Sequence, residues 1–162
     1  MNSLNPRNEY LTDLIEKYSD LLLRIAFTYL KNLPDAEDMV HDAFVKLMQK
    51  NPVFISEEHE KAWLIRVTIN LCKNHLKTAW YRKTVPLEST TLEFTKKEHE
   101  VVDAVMRLSE KYRTVIMLYY IIGYDIKDIA KILKRKEVTV SSQLTRGRQK
   151  LKFILKEEFD YE

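Results

Sequence analysis

Lys136, Thr139, Ser142, Gln143 and Arg146 fall on one side of a predicted helix, opposite an apolar stripe of Val140, Leu144, Gly147, Leu151 and Leu155. A helix with such a polar and cationic face fits the major groove of duplex DNA. There, glutamine can pair with adenine, arginine with guanine, and hydroxyls can donate or accept. Lys134, Arg135, Lys150 and Lys152 suit phosphates, which fix register and affinity rather than sequence. A shorter helix is predicted just before, near residues 126–133, and the short turn between the two gives a helix-turn-helix whose second member reads. From Lys127 to Lys152 nine bases face only two acids. Ordinary solvation of a helix face does not require so one-sided a balance.

A second cationic stretch, KAWLIRVTINLCKNHLKTAWYRK from Lys61 to Lys83, has six bases and no acid. Arg66, Lys73 and Lys77 can hold a nucleic-acid backbone, and the late aromatics Trp80 and Tyr81 can stack on bases that have lost their neighbours. Asn70, Asn74 and His75 can add hydrogen bonds to base edges. This pattern suits an opened strand. Trp63 is expected in the core instead, because it lies among apolar positions of its helix. The run from Asp35 to Glu60 has the opposite sign, with seven acids and two bases. Asp35, Glu37, Asp38 and Asp42 would repel nucleic acid, so this face meets a basic protein surface or solvent.

Helices must position these groups, since only two glycines and four prolines punctuate 162 residues. Leu11, Leu14, Ile15, Tyr18, Leu22, Ile25, Ala26 and Tyr29 recur at helical spacing. A break at Asn32 to Pro34 precedes a second helix, with Ala36, Val40, Ala43, Phe44 and Leu47 inward and acids at its start. A third is expected from about Glu57 to about Lys77, with Trp63, Leu64, Val67, Leu71 and Cys72 inward. Four helices follow in the second half: one marked by Val101, Val102, Val105 and Met106, one capped by Ser109, one started by Asp125 with Asp128, and the reader. Gly147 is expected to seat that reader on Ile129 or Ala130, unless the glycine is merely tolerated. The fold class is therefore all-α: two small helical domains, 1–83 and 99–162, joined by a flexible linker at 84–98, with the helix-turn-helix in the second. A lone cysteine, Cys72, fits a reducing cytoplasmic compartment. No membrane span, metal cluster, phosphate-binding glycine loop, cofactor site or catalytic set is apparent.

The chain resembles the extracytoplasmic-function sigma factors of bacterial RNA polymerase, in the sigma-70 superfamily. LPDAEDMVHDAFVKLMQ (Leu33 to Gln49) is similar to the polymerase-binding helix of that group. KAWLIRVTINLCKNHLK is similar to its promoter-melting segment, and YRTVIMLYYIIGYDIKDIAKILKRKEVTVSSQLTRGRQKLK to its helix-turn-helix domain. The likeness implies that Asp35, Glu37, Asp38, Asp42 and Phe44 contact, or support contact with, core RNA polymerase. It implies that Arg66, Asn70, Lys73, Asn74, His75, Lys77, Trp80 and Tyr81 act at the −10 element, and that Arg135, Lys136, Thr139, Ser142, Gln143, Arg146 and Lys150 read the −35 element of promoter DNA. An anti-sigma partner follows from the same likeness, with the free chain a monomer or 1:1 with that inhibitor. Several positions depart from the pattern: Asn74 for an aspartate, His75 for an aromatic, Lys134 and Val138 for glycines, Arg135 for an apolar residue, Ser141 for a lysine and Gln143 for an arginine. A turn without glycine is expected to pack differently. The competing readings are a dimeric helix-turn-helix regulator and a helical interaction module that binds no DNA.

Overall fold

The computed structural model describes residues 5–80 and 96–159, with side chains over 5–78 and 100–156. Contacts divide the chain into two compact units, Met1–Thr91 and Leu92–Glu162. Seven α-helices and no strand occur among the described residues, as the composition predicts.

In the first unit α1 (Pro6–Leu30), α2 (Leu33–Lys50) and α3 (Glu57–Trp80) pack pairwise. Pro6 begins α1, where a missing N–H costs nothing. Lys31 ends the helix in the left-handed conformation and donates its N–H to Phe27 O at 2.8 Å. Asn32 then caps α2 by accepting from Asp35 N at 3.0 Å, which fixes the break expected at Asn32 to Pro34. The predicted stripe of α2 is buried throughout, and that of α1 is buried except at Leu11, which is half-buried, and Ile15, which is 39% exposed.

The third stripe needs correction. Leu64, Ile65, Thr68, Ile69 and Cys72 form its buried face, whereas Trp63, Val67 and Leu71 are only partly covered. Thr68 turned the apolar pattern: its hydroxyl donates to Leu64 O at 2.8 Å, so a polar residue sits in the core with its donor satisfied. Glu60, 8% exposed, lies on the same side. It accepts from Tyr10 Oη at 2.6 Å and Tyr18 Oη at 3.3 Å, tying α3 to α1.

That tie sets an alkaline limit on the unit. The Tyr10 hydroxyl is pushed up to about 12, first by burial and then by its bond to Glu60. An unfolded tyrosine ionises near 10. The folded value being higher, the stabilisation is fully present below pH 10 and is lost as pH rises through 12. Tyr10→Phe should therefore reduce the fall in melting temperature between those two values; an unchanged fall would remove Tyr10 from the account.

The second unit contains α4 (Lys96–Met106), α5 (Glu110–Ile116), α6 (Ile126–Leu133) and α7 (Glu137–Phe159). Residues 84–95 of the predicted linker lie outside the described residues, and 96–98 form the first turn of α4. Ser109 stands at the start of α5, but its side chain makes no capping bond there. Beyond Ile116 the helix widens into a π-helical turn, Met117–Ile122, closed where Gly123 and Tyr124 N–H groups both reach Leu118 O. Gly123 ends it at φ 92, a conformation open to glycine without strain.

Gly147 seats α7 on α5, not on Ile129 or Ala130 of α6 as expected. A Cβ there would lie 3.0 Å from Ile116 Cγ1, 3.2 Å from Ile116 Cδ1 and 3.5 Å from Tyr112 Cβ. Ile116 is itself fully buried and has little room to give. Gly147→Val should therefore destabilise the second unit by about 1–3 kcal/mol, read as a lower melting temperature; a variant as stable as the parent would show that the helices part without cost.

Candidate nucleic-acid interface

Asp125 starts α6 by accepting from Asp128 N at 2.8 Å. Lys134 ends it at φ 54, with the N–H groups of Lys134 and Arg135 both directed at Ala130 O. The turn therefore keeps the left-handed geometry a glycine would take, with a lysine accepting the strain. Ile129, Ala130, Val140 and Leu144 are buried and lock α6 to α7.

With that side of α7 occupied, Lys136, Thr139, Arg146 and Lys150 are exposed, while Ser142 and Gln143 are half-buried. Arg135, half-buried in the turn, donates from Nη1 to Gln143 Oε1 at 2.9 Å. Tyr112 of α5, only 8% exposed and packed beside Gly147, lies next to this face. Burial alone would raise its pKa, but Lys111, Arg146 and Lys150 around the phenol outweigh that and hold it below its usual value. The ammonium groups of Lys111 and Lys150 lie 4.9 and 5.4 Å from its ring centre. Arg148 points elsewhere: it stacks over Tyr119 and Tyr120 and bonds the Tyr120 hydroxyl.

On α3, Arg66, Asn70, Lys73 and Lys77 share one face by their spacing of four, three and four. Asn70, Asn74 and Lys77 are exposed; Arg66, Lys73 and His75 are half-buried. The side chain of Trp80 and all of Tyr81 lie outside the described residues.

His75 is not turned wholly to solvent. Its Nε2 lies 3.2 Å from Asp35 Oδ2 in the first turn of α2, joining two residues assigned to different partners. Asp35 is thereby half-covered, whereas Glu37, Asp38 and Asp42 stay exposed as the open acidic face. Phe44, 6% exposed, packs in the core and can only support that face from beneath.

The connection from α2 to α3 contributes a feature that periodicity missed. Val53 and Ile55 are 88% and 89% exposed on either side of Phe54, which packs edge-on against His59 and Trp63. Ile55 N–H also donates to His59 Nδ1 at 3.2 Å. Two large aliphatic side chains are thus held out from an anchored loop. Their signal was an apolar run beginning at Pro52 without helical spacing.

Two family profiles match the chain in order: Sigma-70 region 2 over residues 14–82, and Sigma-70, region 4 over residues 98–151. The ECF RNA polymerase sigma factor SigW of Bacillus subtilis is 24% identical over 165 residues, covering 90% of this chain and 88% of SigW. The chain belongs to the extracytoplasmic-function sigma factors of the sigma-70 family. Its role is that of an RNA polymerase sigma factor. The ECF RNA polymerase sigma factor SigM of Mycobacterium tuberculosis is 28% identical, over 88% of this chain and 75% of SigM. In fold, this sigma factor is similar to RpoE of Bartonella quintana, solved with the anti-sigma factor NepR, at a TM-score of 0.73 and 21% identity over 91% of this chain and 97% of that one. CnrH, solved with the cytosolic domain of CnrY, gives 0.72 and 22% over 96% and 92%. Region 2 thus contains the acidic α2 and the cationic α3, and region 4 contains the helix-turn-helix. A dimerisation domain at the amino terminus, as in the competing regulator, is set aside by the region 2 match. Among the described residues, no helix is long and apolar enough to cross a membrane.

Proposed function

We propose that this sigma factor docks on core RNA polymerase through Glu37, Asp38 and Asp42 of α2, with Asp35 and Phe44 holding that face in shape. On promoter DNA, Arg66, Asn70, Lys73, Asn74, His75 and Lys77, with Trp80 and Tyr81, keep the −10 strand open. Arg135, Lys136, Thr139, Ser142, Gln143, Arg146 and Lys150 dock on the −35 duplex. The observation that carries this reading is α7: one side is locked to α5 and α6 by Gly147, Val140 and Leu144, and the other presents Lys136, Thr139, Ser142, Gln143, Arg146 and Lys150, with Val138 an exposed apolar side chain near its start.

Opening is supplied by binding free energy, and polymerase makes every phosphodiester bond, so the chain is a non-enzymatic subunit. The division of the chain into two compact units lets it reach two unlike elements. One fold neighbour, RpoE of Bartonella quintana, was solved with the anti-sigma factor NepR, and an inhibitor binding 1:1 to an otherwise monomeric cytoplasmic chain belongs to the same reading.

Mixing the purified chain, core polymerase and a random promoter library, then sequencing the transcripts, tests it. Two unlike enriched motifs that require the chain support the proposal. A single inverted repeat bound without polymerase would overturn it.

A further inference from the structure

Arg135 and Gln143 stand eight residues apart, and the turn between α6 and α7 closes them into the 2.9 Å bond from Arg135 Nη1 to Gln143 Oε1. A guanidinium has donors only, so the oxygen end of the amide must face Arg135. The arginine is not held by a loose loop. Its own N–H is fixed on Ala130 O at 3.0 Å, and the residue before it is set in the left-handed conformation. The two Nε2 hydrogens of Gln143 are therefore directed away from Arg135.

That orientation bears on which base Gln143 can read. Adenine recognition uses both ends of a glutamine, Oε1 accepting from N6 and Nε2 donating to N7, whereas guanine presents two acceptors, N7 and O6. We propose that Arg135 is a positioning residue that makes Gln143 a donor-only reader, so that the sigma factor prefers guanine to adenine at the base facing Gln143. The proposal rests on the reading of α7 as the helix in the −35 duplex. It replaces the glutamine–adenine pairing that the sequence alone suggests.

The test uses holoenzyme assembled from the full chain and core polymerase, on promoters randomised across the upstream element. Gln143→Ala locates the base, because preference flattens at one position. At that position the parent should favour guanine over adenine by about tenfold. Arg135→Met keeps a long stem but removes the donors, frees Oε1 for the groove, and should invert the preference towards adenine. Gln143→Glu keeps an acceptor for Arg135 and has no donor, so it should exchange guanine for cytosine and provides a second route should Arg135→Met fold poorly.

An adenine preference in the parent overturns the proposal. So does an Arg135→Met holoenzyme that uses every promoter less well while keeping guanine, which would make Arg135 a phosphate contact only, and so does a Gln143→Glu holoenzyme that retains guanine. If Gln143→Ala flattens no position, the reading of α7 itself fails and the proposal with it. If it flattens one that Arg135→Met leaves unchanged, the role given to Arg135 alone falls.

Discussion

Arg146→Ala should reduce transcription from promoters with a matched −35 element by roughly thirtyfold while leaving assembly with core polymerase unchanged. The estimate follows from the worth of an arginine paired with guanine in the major groove, about 2 kcal/mol. Arg146 is exposed on α7, and with Lys111 and Lys150 it surrounds the Tyr112 phenol. Lys150→Ala is the informative comparison. A phosphate contact carries no sequence information, so its loss should weaken all promoters alike and lower the salt slope of DNA binding by about one. Transcription from randomised promoters at several salt concentrations separates the two. Should Arg146→Ala weaken every sequence equally, Arg146 belongs with the phosphate contacts and the reading of α7 loses its strongest residue.

The difference between those two cations was only partly legible in the sequence. Spacing at three and four residues placed the stripes of α1, α2 and the first half of α7 correctly, because a surface helix buries whatever apolar residues share one face. It also placed both helices of the helix-turn-helix, where Asp125 caps as its type predicts. A polar residue buried with its own partner escapes such spacing, since Thr68 reads as a surface position until its bond to Leu64 O is seen. So do contacts that depend on how helices cross. Nothing in the chain around Gly147 says that it meets Ile116 rather than Ile129, and the widened turn after Ile116 leaves no mark in composition.

Site residues divide in the same way. Exposure of Glu37, Asp38, Asp42, Lys136, Thr139 and Arg146 follows from their place on polar faces. Two pairings did not follow: His75 with Asp35, and Arg135 with Gln143. The first joins two helices and the second crosses a turn, so they belong to tertiary structure. His75, Arg135 and Gln143, three of the positions where the resemblance breaks, each have a side-chain partner in the structure.

Asp38→Ala should show the reverse of the arginine phenotype. Asp38 and Asp42 are one helical turn apart on α2, both exposed, on a helix whose other side is buried through Ala36, Val40, Ala43 and Leu47. A carboxylate presented from so fixed a backbone loses little freedom on meeting a basic surface. Its truncation at the centre of such a contact costs about 2 kcal/mol, or roughly thirtyfold in affinity for core polymerase. The loss should grow at low salt, where opposite charges steer association most strongly, and shrink at high salt. Stability should stay within about 0.5 kcal/mol of the parent, since a surface substitution away from caps and core moves it little. Asp35→Ala is the instructive neighbour: it removes the partner of His75 and should disturb strand opening more than docking. Measured as core binding by titration and as open-complex lifetime by footprinting, the three variants separate docking, opening and duplex reading. A folded Asp38→Ala protein that binds core polymerase normally would remove the acidic face of α2 from the docking surface.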